Sequence, residues 1–296
     1  MYKAHFSLRE LPFGITPDTS FFFACNAQQE ALNTLLVAVR SGEGFVKITG
    51  EVGTGKTLLC RKLLASLRED FISAYIPNPY LEPRALLLAL ADELGVALDK
   101  EVDQHRLFKA LNRALLDAAR KGKRVVLCLD EAQAMPLETL EALRLLTSFE
   151  TEKRKLLQVV LFGQPELDRN LEQESIRQLT QRITFHYCLA ALTVNELDSY
   201  LDHRLGIAGY NGVRLFSKGA VRKLHRASAG VPRLINILAH KAMMLAYGEG
   251  AREISARHIR AAAADTPAAR SRRWNWWPTL ALLVCAGAGS AWALLK

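Results

Sequence analysis

The run Gly50-Glu51-Val52-Gly53-Thr54-Gly55-Lys56-Thr57 has the spacing G-x-x-x-x-G-K-T, which suits phosphate chemistry. Glycines let the backbone wrap closely round an anion, so that its N–H groups and the start of the following helix face the phosphates. Lys56 then reaches the β and γ groups, and the Thr57 hydroxyl ligates Mg²⁺. With Leu58 behind it, this loop is the expected binding segment for a nucleoside triphosphate.

A second constellation lies downstream. Val125-Val126-Leu127-Cys128-Leu129-Asp130-Glu131 is an apolar run ending in two acids. Asp130 suits holding Mg²⁺, directly or through water, and Glu131 suits polarising a water that attacks the γ-phosphate in line. Two acids at a strand end also cap helices, with Ala132-Gln133-Ala134-Met135-Pro136 as the turn; the accompanying phosphate loop favours the catalytic reading. Phe162-Gly163-Gln164 ends another apolar run and offers an amide that could bond the water or the γ-phosphate. A plain turn residue is the competing reading.

Arg182, just before the run Ile183–Leu189, and Arg177, five residues earlier, suit stabilisation of transition-state charge from a subunit edge. Arg233, in Gly230-Val231-Pro232-Arg233, opens a helix and suits reporting nucleotide state. In a chain with 39 Lys and Arg, a solvated surface charge is an arginine's ordinary fate, so position carries these three. The seven histidines show no HExxH or other ligand spacing, so no zinc site is predicted.

Short apolar runs at Phe45–Thr49, Phe71–Ile76, Val125–Leu129, Leu156–Phe162 and Ile183–Leu189 read as strands. Such runs are expected where helices cover both faces of a parallel sheet. Between them, Leu58–Leu67, Arg84–Leu94, Arg106–Ala119 and Leu137–Thr147 carry leucines three and four apart, the period of an amphipathic helix. After Leu192 the pattern is all helical. Thr193 to Glu196 is a capping box, Ser217 and Ser255 can cap further helices, and Pro232 takes a favoured first position.

The predicted organisation is an N-terminal segment 1–44, an α/β domain 45–192, a helical lid 193–264, a basic linker 265–273 and an apolar helix 274–295. From Trp274 to Leu295 no residue is charged, and about 22 such residues suffice to cross a bilayer. Indoles at both ends and Arg270, Arg272 and Arg273 before it predict a membrane anchor with the bulk of the chain cytoplasmic. The start, MYKAHFSLRELPF, lacks the apolar core of a secretory signal.

Half of the 296 residues are hydrophobic, which excludes a disordered chain, and the formal net charge of +9 suits nucleic acid, an anionic surface or a nucleotide alike. Five scattered cysteines without a CxxC pair fit a reducing compartment. Phe21-Phe22-Phe23, with Pro12-Phe13 before it, reads as core, with an adenine platform as a second role.

GEVGTGKT, VVLCLDEAQ, LFGQPEL, QLTQRI, GVPRLIN and the opening HFSLRELPFGITPDTSFFF, with QQEAL, resemble in order the AAA+ family of general-secretion-pathway protein A (ExeA-like). The MSHA pilus-biogenesis (MshM-type) members look closer still. The resemblance spans about residues 1 to 265. It implies an α/β AAA+ P-loop fold with a helical lid and a Mg²⁺-dependent, homo-oligomeric ATPase. It also implies work at the bacterial inner membrane with pilus or secretion-machine proteins as partners. By position, Gln164 takes the sensor 1 place, where Asn or Thr is common elsewhere; Arg182 takes the finger place and Arg233 the sensor 2 place. The periplasmic peptidoglycan-binding region of ExeA-like proteins has no counterpart in this chain. The alternative is a nucleic-acid-associated AAA+ switch of the initiator or transposition-helper type, motivated by the basic balance. Such proteins append a DNA reader, whereas an apolar segment follows here, so no specific nucleic acid is expected.

Overall fold

A computed structural model describes residues 2–98, 102–151 and 154–269. The chain divides into two compact units, Pro17–Ala191 and a helical unit that combines Met1–Thr16 with the chain from Leu192 onward.

In the first unit five strands form a parallel sheet: β1 (Phe45–Gly50), β2 (Phe71–Ile76), β3 (Arg124–Leu129), β4 (Leu157–Gly163) and β5 (Ile183–Leu189). Their spatial order is β2-β3-β4-β1-β5. Alternation along β3 shows why the run is apolar throughout. Val125, Leu127 and Leu129 join one core, and Val126 and Cys128 join the core on the opposite face. The first core is shared with α3 (Pro83–Glu93), α4 (Gln104–Arg120) and α5 (Leu137–Leu146). The second is shared with α1 (Asn26–Ser41) and α2 (Lys56–Ser66).

The edge strand β5 departs from the expectation of strands covered on both faces. Thr184, His186 and Cys188 are exposed between half-buried neighbours, which is the pattern of a strand with one open face. Helix α1 had no start signal to read, because its N-cap is Cys25 and no side chain caps it. Two short helices, α6 (Glu166–Leu171) and α7 (Arg177–Thr180), link β4 to β5; neither is long enough to show a period. Cys25, Cys60 and Cys128 are buried free thiols.

The second unit holds α8 (Val194–Ile207), α9 (Lys218–Ser228), α10 (Pro232–Gly248) and α11 (Ala256–Ala264). Thr193 and Glu196 form the capping box that opens α8, Ser217 caps α9 and Pro232 starts α10. At α11 the reciprocal partner is a histidine: the Ser255 N–H donates to His258 Nδ1 at 3.0 Å.

The division that the sequence places at residue 44 falls here at residue 16. A polar network deep in the helical unit ties down the first residues. Arg204, 6% exposed, donates through Nε to the Pro12 carbonyl and through a terminal nitrogen to the Tyr200 hydroxyl at 3.1 Å. Tyr200 donates to Asn236 at 2.8 Å, and Asn236 to the Gly14 carbonyl at 3.0 Å. Phe13 packs edge-on against Phe216 in this unit, whereas Phe21 is buried in the α/β unit, so the aromatic stretch belongs to two cores. The start of the expected linker is also built in: Thr266 is buried and its hydroxyl donates to the Ala262 carbonyl at 2.8 Å. The expected apolar helix 274–295 lies outside the described residues. Among those described, no helix is long and apolar enough to cross a membrane.

Gly230 marks where the glycine of GVPR is needed. Its φ is +75°, and a Cβ there would lie 2.1 Å from the Leu192 carbonyl oxygen. Leu192 N–H in turn donates to the Gly230 carbonyl at 2.9 Å. Gly230→Ala is expected to destabilise the helical unit by on the order of 3 kcal/mol. Denaturant unfolding followed by circular dichroism checks this; an unchanged midpoint would show that the junction relaxes freely.

Candidate functional site

Sheet order assembles the site. Strand β4 lies between β1 and β3, with Thr49 of β1 level with Gly163 and Leu129 of β3 level with Leu161. The loop after β1, Gln164 after β4 and Asp130-Glu131 after β3 therefore emerge at one edge. Carboxyl ends of parallel strands are where open α/β sheets bind ligands.

The phosphate loop leaves β1 at Gly50 and enters α2 at Lys56. Gly55 makes the entry with φ +101°, a value that strains any residue with a Cβ. The loop is braced internally by the Thr54 hydroxyl, which donates to the Glu51 carbonyl at 2.9 Å. From α1, Gln28 Nε2 donates to the Thr54 carbonyl at 3.0 Å. Glu51 and Val52 are exposed at the tip, and Thr57 and Leu58 are half-buried in the first turn of α2.

Lys56 is 5% exposed, and its ammonium donates to the carbonyls of Gly50 at 2.7 Å and Glu51 at 3.1 Å. Burial lowers its pKa, opposed by the charges of Glu131, Asp130 and Glu51. Asp130 is 2% exposed. Burial raises its pKa, while a hydrogen bond from Thr57 and another from the Glu131 N–H, at 3.0 Å, oppose the shift. The two groups read as magnesium ligands thus touch. Two hard oxygens fit Mg²⁺, which takes few protein ligands and fills the rest of its shell from phosphate and water.

Glu131 adopts the left-handed conformation, φ +55° and ψ 37°, uncommon for a residue with a side chain and a site of strain. Its carboxylate Oε2 accepts from Gln133 Nε2 at 2.6 Å and from Gln164 Nε2 at 3.1 Å. The Gln133 side chain also accepts through Oε1 from the backbone N–H of Gln164 at 3.0 Å. Asn170 Nδ2 reaches the Gln133 carbonyl at 3.2 Å.

Gln133 is the site residue that sequence reasoning missed, having placed it only in a turn. The available signal was a polar side chain in the otherwise apolar turn Ala132-Gln133-Ala134-Met135. Replacing either glutamine by alanine is expected to cut turnover roughly 10- to 100-fold by loosening the carboxylate, with the KM for ATP nearly unchanged. Steady-state kinetics checks this, and an unaltered kcat for Gln133→Ala would make its bond to Glu131 incidental.

The arginines are placed differently. Arg182 donates to the Arg144 carbonyl at 3.3 Å, to the Thr147 hydroxyl at 3.2 Å and to the Ser148 hydroxyl at 3.4 Å. It thereby caps the C-terminus of α5, where a cation is favoured. Arg177 is exposed at the start of α7. Arg233 is exposed at the second position of α10 and belongs to the helical unit. Lys56, Thr57, Asp130, Glu131 and Gln164 are thus brought together; within the same unit, Arg177 and Arg182 make no hydrogen bond to that cluster.

A family model described as AAA domain matches residues 39–171. General secretion pathway protein A of Aeromonas hydrophila is 41% identical over 288 residues, covering 97% of this chain and 52% of that protein. The chain therefore spans about half the length of that curated relative. Among solved structures, Cdc6p from Pyrobaculum aerophilum is similar with a TM-score of 0.64 at 17% identity, covering 89% of this chain and 70% of that one. The ORC2 protein of Aeropyrum pernix gives 0.60 at 18%, covering 84% and 72%. The RuvB Holliday junction branch migration motor of Thermotoga maritima gives 0.54 at 17%, covering 84% and 72%. At such identities these likenesses show the fold alone.

Proposed function

We propose that this chain, which is similar to general secretion pathway protein A over 97% of its length, is a AAA+ ATPase that hydrolyses ATP to support assembly of a secretion or type IV (MSHA-type) pilus machine. The convergence of Lys56, Thr57, Asp130, Glu131 and Gln164 at one sheet edge carries the enzymatic half of this reading. Lys56 and the loop N–H groups bind the β and γ phosphates; Thr57 and Asp130 would hold Mg²⁺, which screens their charge when bound. Glu131, aimed by Gln133 and Gln164, accepts the proton of the attacking water. Arg182 acts across a subunit boundary, and Arg233 couples nucleotide state to the helical unit. The charge-free segment 274–295 anchors the protein in the inner membrane, with the ATPase unit on the cytoplasmic side.

Purified full-length protein with Mg²⁺ and ATP tests the reading. Turnover per subunit is expected to rise with protein concentration as oligomers form; no turnover at any concentration would remove the enzymatic half. The likeness to initiator proteins carries no function at 17 to 18% identity. Salt-dependent binding to duplex DNA with a steep slope would favour that class instead.

A further inference from the structure

Helices α9 and α11 border a recess of about 600 Å³. Lys223, Arg226 and Arg260 supply its charge among the described residues, and alanines, Ala269 among them, supply the rest of its lining. Neither helix contains an acid: α9 reads KGAVRKLHRAS and α11 reads ARHIRAAAA. Some other cations of this unit are paired, Lys241 with Asp265 and, on α11 itself, Arg257 with Glu249. No described residue pairs with Lys223, Arg226 or Arg260. Three unpaired cations around an apolar floor are complementary to an anion that carries an apolar underside.

The sequence beside the recess indicates which anion. Ala269 belongs to the lining, and the next residues are Arg270-Ser271-Arg272-Arg273, followed by the charge-free stretch from Trp274 to Leu295. The recess therefore stands where the chain enters its most apolar segment. Basic clusters in that position meet the anionic headgroup layer of a bilayer. Alanines suit the glycerol and upper acyl carbons of a lipid, for which a phosphate rail of duplex DNA has no equivalent.

We propose that the recess between α9 and α11 binds the headgroup of an anionic phospholipid and docks the helical unit on the membrane surface. The proposal rests on the membrane reading above. Three cations at a surface are worth roughly a 100-fold preference for anionic over neutral lipid.

The test reconstitutes the full chain with vesicles of phosphatidylcholine alone or of phosphatidylcholine and phosphatidylglycerol at about 7:3, and reads amide hydrogen exchange in α9 and α11. Exchange is expected to slow at least about fivefold on the anionic vesicles, within the preference the three charges supply. The variant K223E/R226E/R260E should lose this slowing while keeping ATP turnover, which reports that it folds. The variant R270Q/R272Q/R273Q should retain it.

Slowing that persists in K223E/R226E/R260E, or that is lost only with the 270–273 arginines, overturns the proposal. So does equal slowing by inorganic phosphate without vesicles, which would make the recess a free-anion site, or by a short DNA duplex, which would make it a nucleic-acid surface. Flotation with phosphatidylcholine vesicles after an alkaline wash reports on the anchor separately. Its failure alongside intact anionic protection would remove the anchor and leave the recess.

Discussion

Glu131→Gln is expected to lower ATP turnover about 10²- to 10⁴-fold while leaving MgATP affinity within a few-fold, the range assigned to a positioned general base. The substitution isolates the proton-accepting charge. A Gln side chain keeps a carbonyl oxygen for the amides of Gln133 and Gln164, which bond the carboxylate at 2.6 and 3.1 Å, so the shape of the site survives. The left-handed turn at position 131 is equally open to Gln. The loop and Lys56, proposed to bind the nucleotide and bonded to the Gly50 and Glu51 carbonyls, are untouched. Single-turnover hydrolysis together with equilibrium binding of a fluorescent ATP analogue separates the two effects. A variant that keeps a tenth or more of wild-type turnover would move the base elsewhere, and one that no longer binds ATP would make Glu131 structural.

Arg182→Ala is expected to reduce turnover by about 10³-fold or more if its guanidinium completes a neighbouring subunit's site. The competing outcome is built into the same side chain. Arg182 caps α5 through Arg144, Thr147 and Ser148, at separations of 3.2 to 3.4 Å that are long for strong hydrogen bonds. A half-buried arginine held this loosely can leave its cap at a cost of about 1 kcal/mol.

Mixing decides between the roles. An oligomer of Arg182→Ala and Glu131→Gln chains contains interfaces at which an intact Glu131 meets an intact Arg182. Activity absent from either variant should therefore return in the mixture. If the mixture stays inactive, and Arg182→Ala merely lowers the unfolding midpoint while Arg177→Ala abolishes turnover, the finger is Arg177 and Arg182 is a helix cap.

The inner strands β1, β3 and β4 were legible because burial on both faces leaves an apolar run no polar position to blur it, and all five strands lie within a residue of the expected segments. Caps at Thr193 and Ser217 were legible for a local reason: a side-chain oxygen and an N–H three residues on meet in any context that starts a helix. Helix α1 was not, because its start has no such pair, and α6 and α7 are too short to carry a period.

Motif spacing alone marked Lys56, Thr57, Asp130 and Glu131 as candidates, since phosphate and magnesium chemistry demands those groups in a loop between strand and helix and at the end of an apolar strand. What spacing could not supply was adjacency between segments remote in sequence. Strand order placed β4 between the two motif strands, and only that order brings Gln164 to Glu131, 33 positions away, and locks Gln133 against both. The N-terminal residues 1–16 joined the helical unit through a buried arginine and asparagine, bridged by Tyr200, that donate to the Pro12 and Gly14 carbonyls, groups every residue has and no sequence pattern marks. Local chemistry is written in residue type and short spacing. Which remote polar groups satisfy one another depends on burial, and burial is a property of the folded chain.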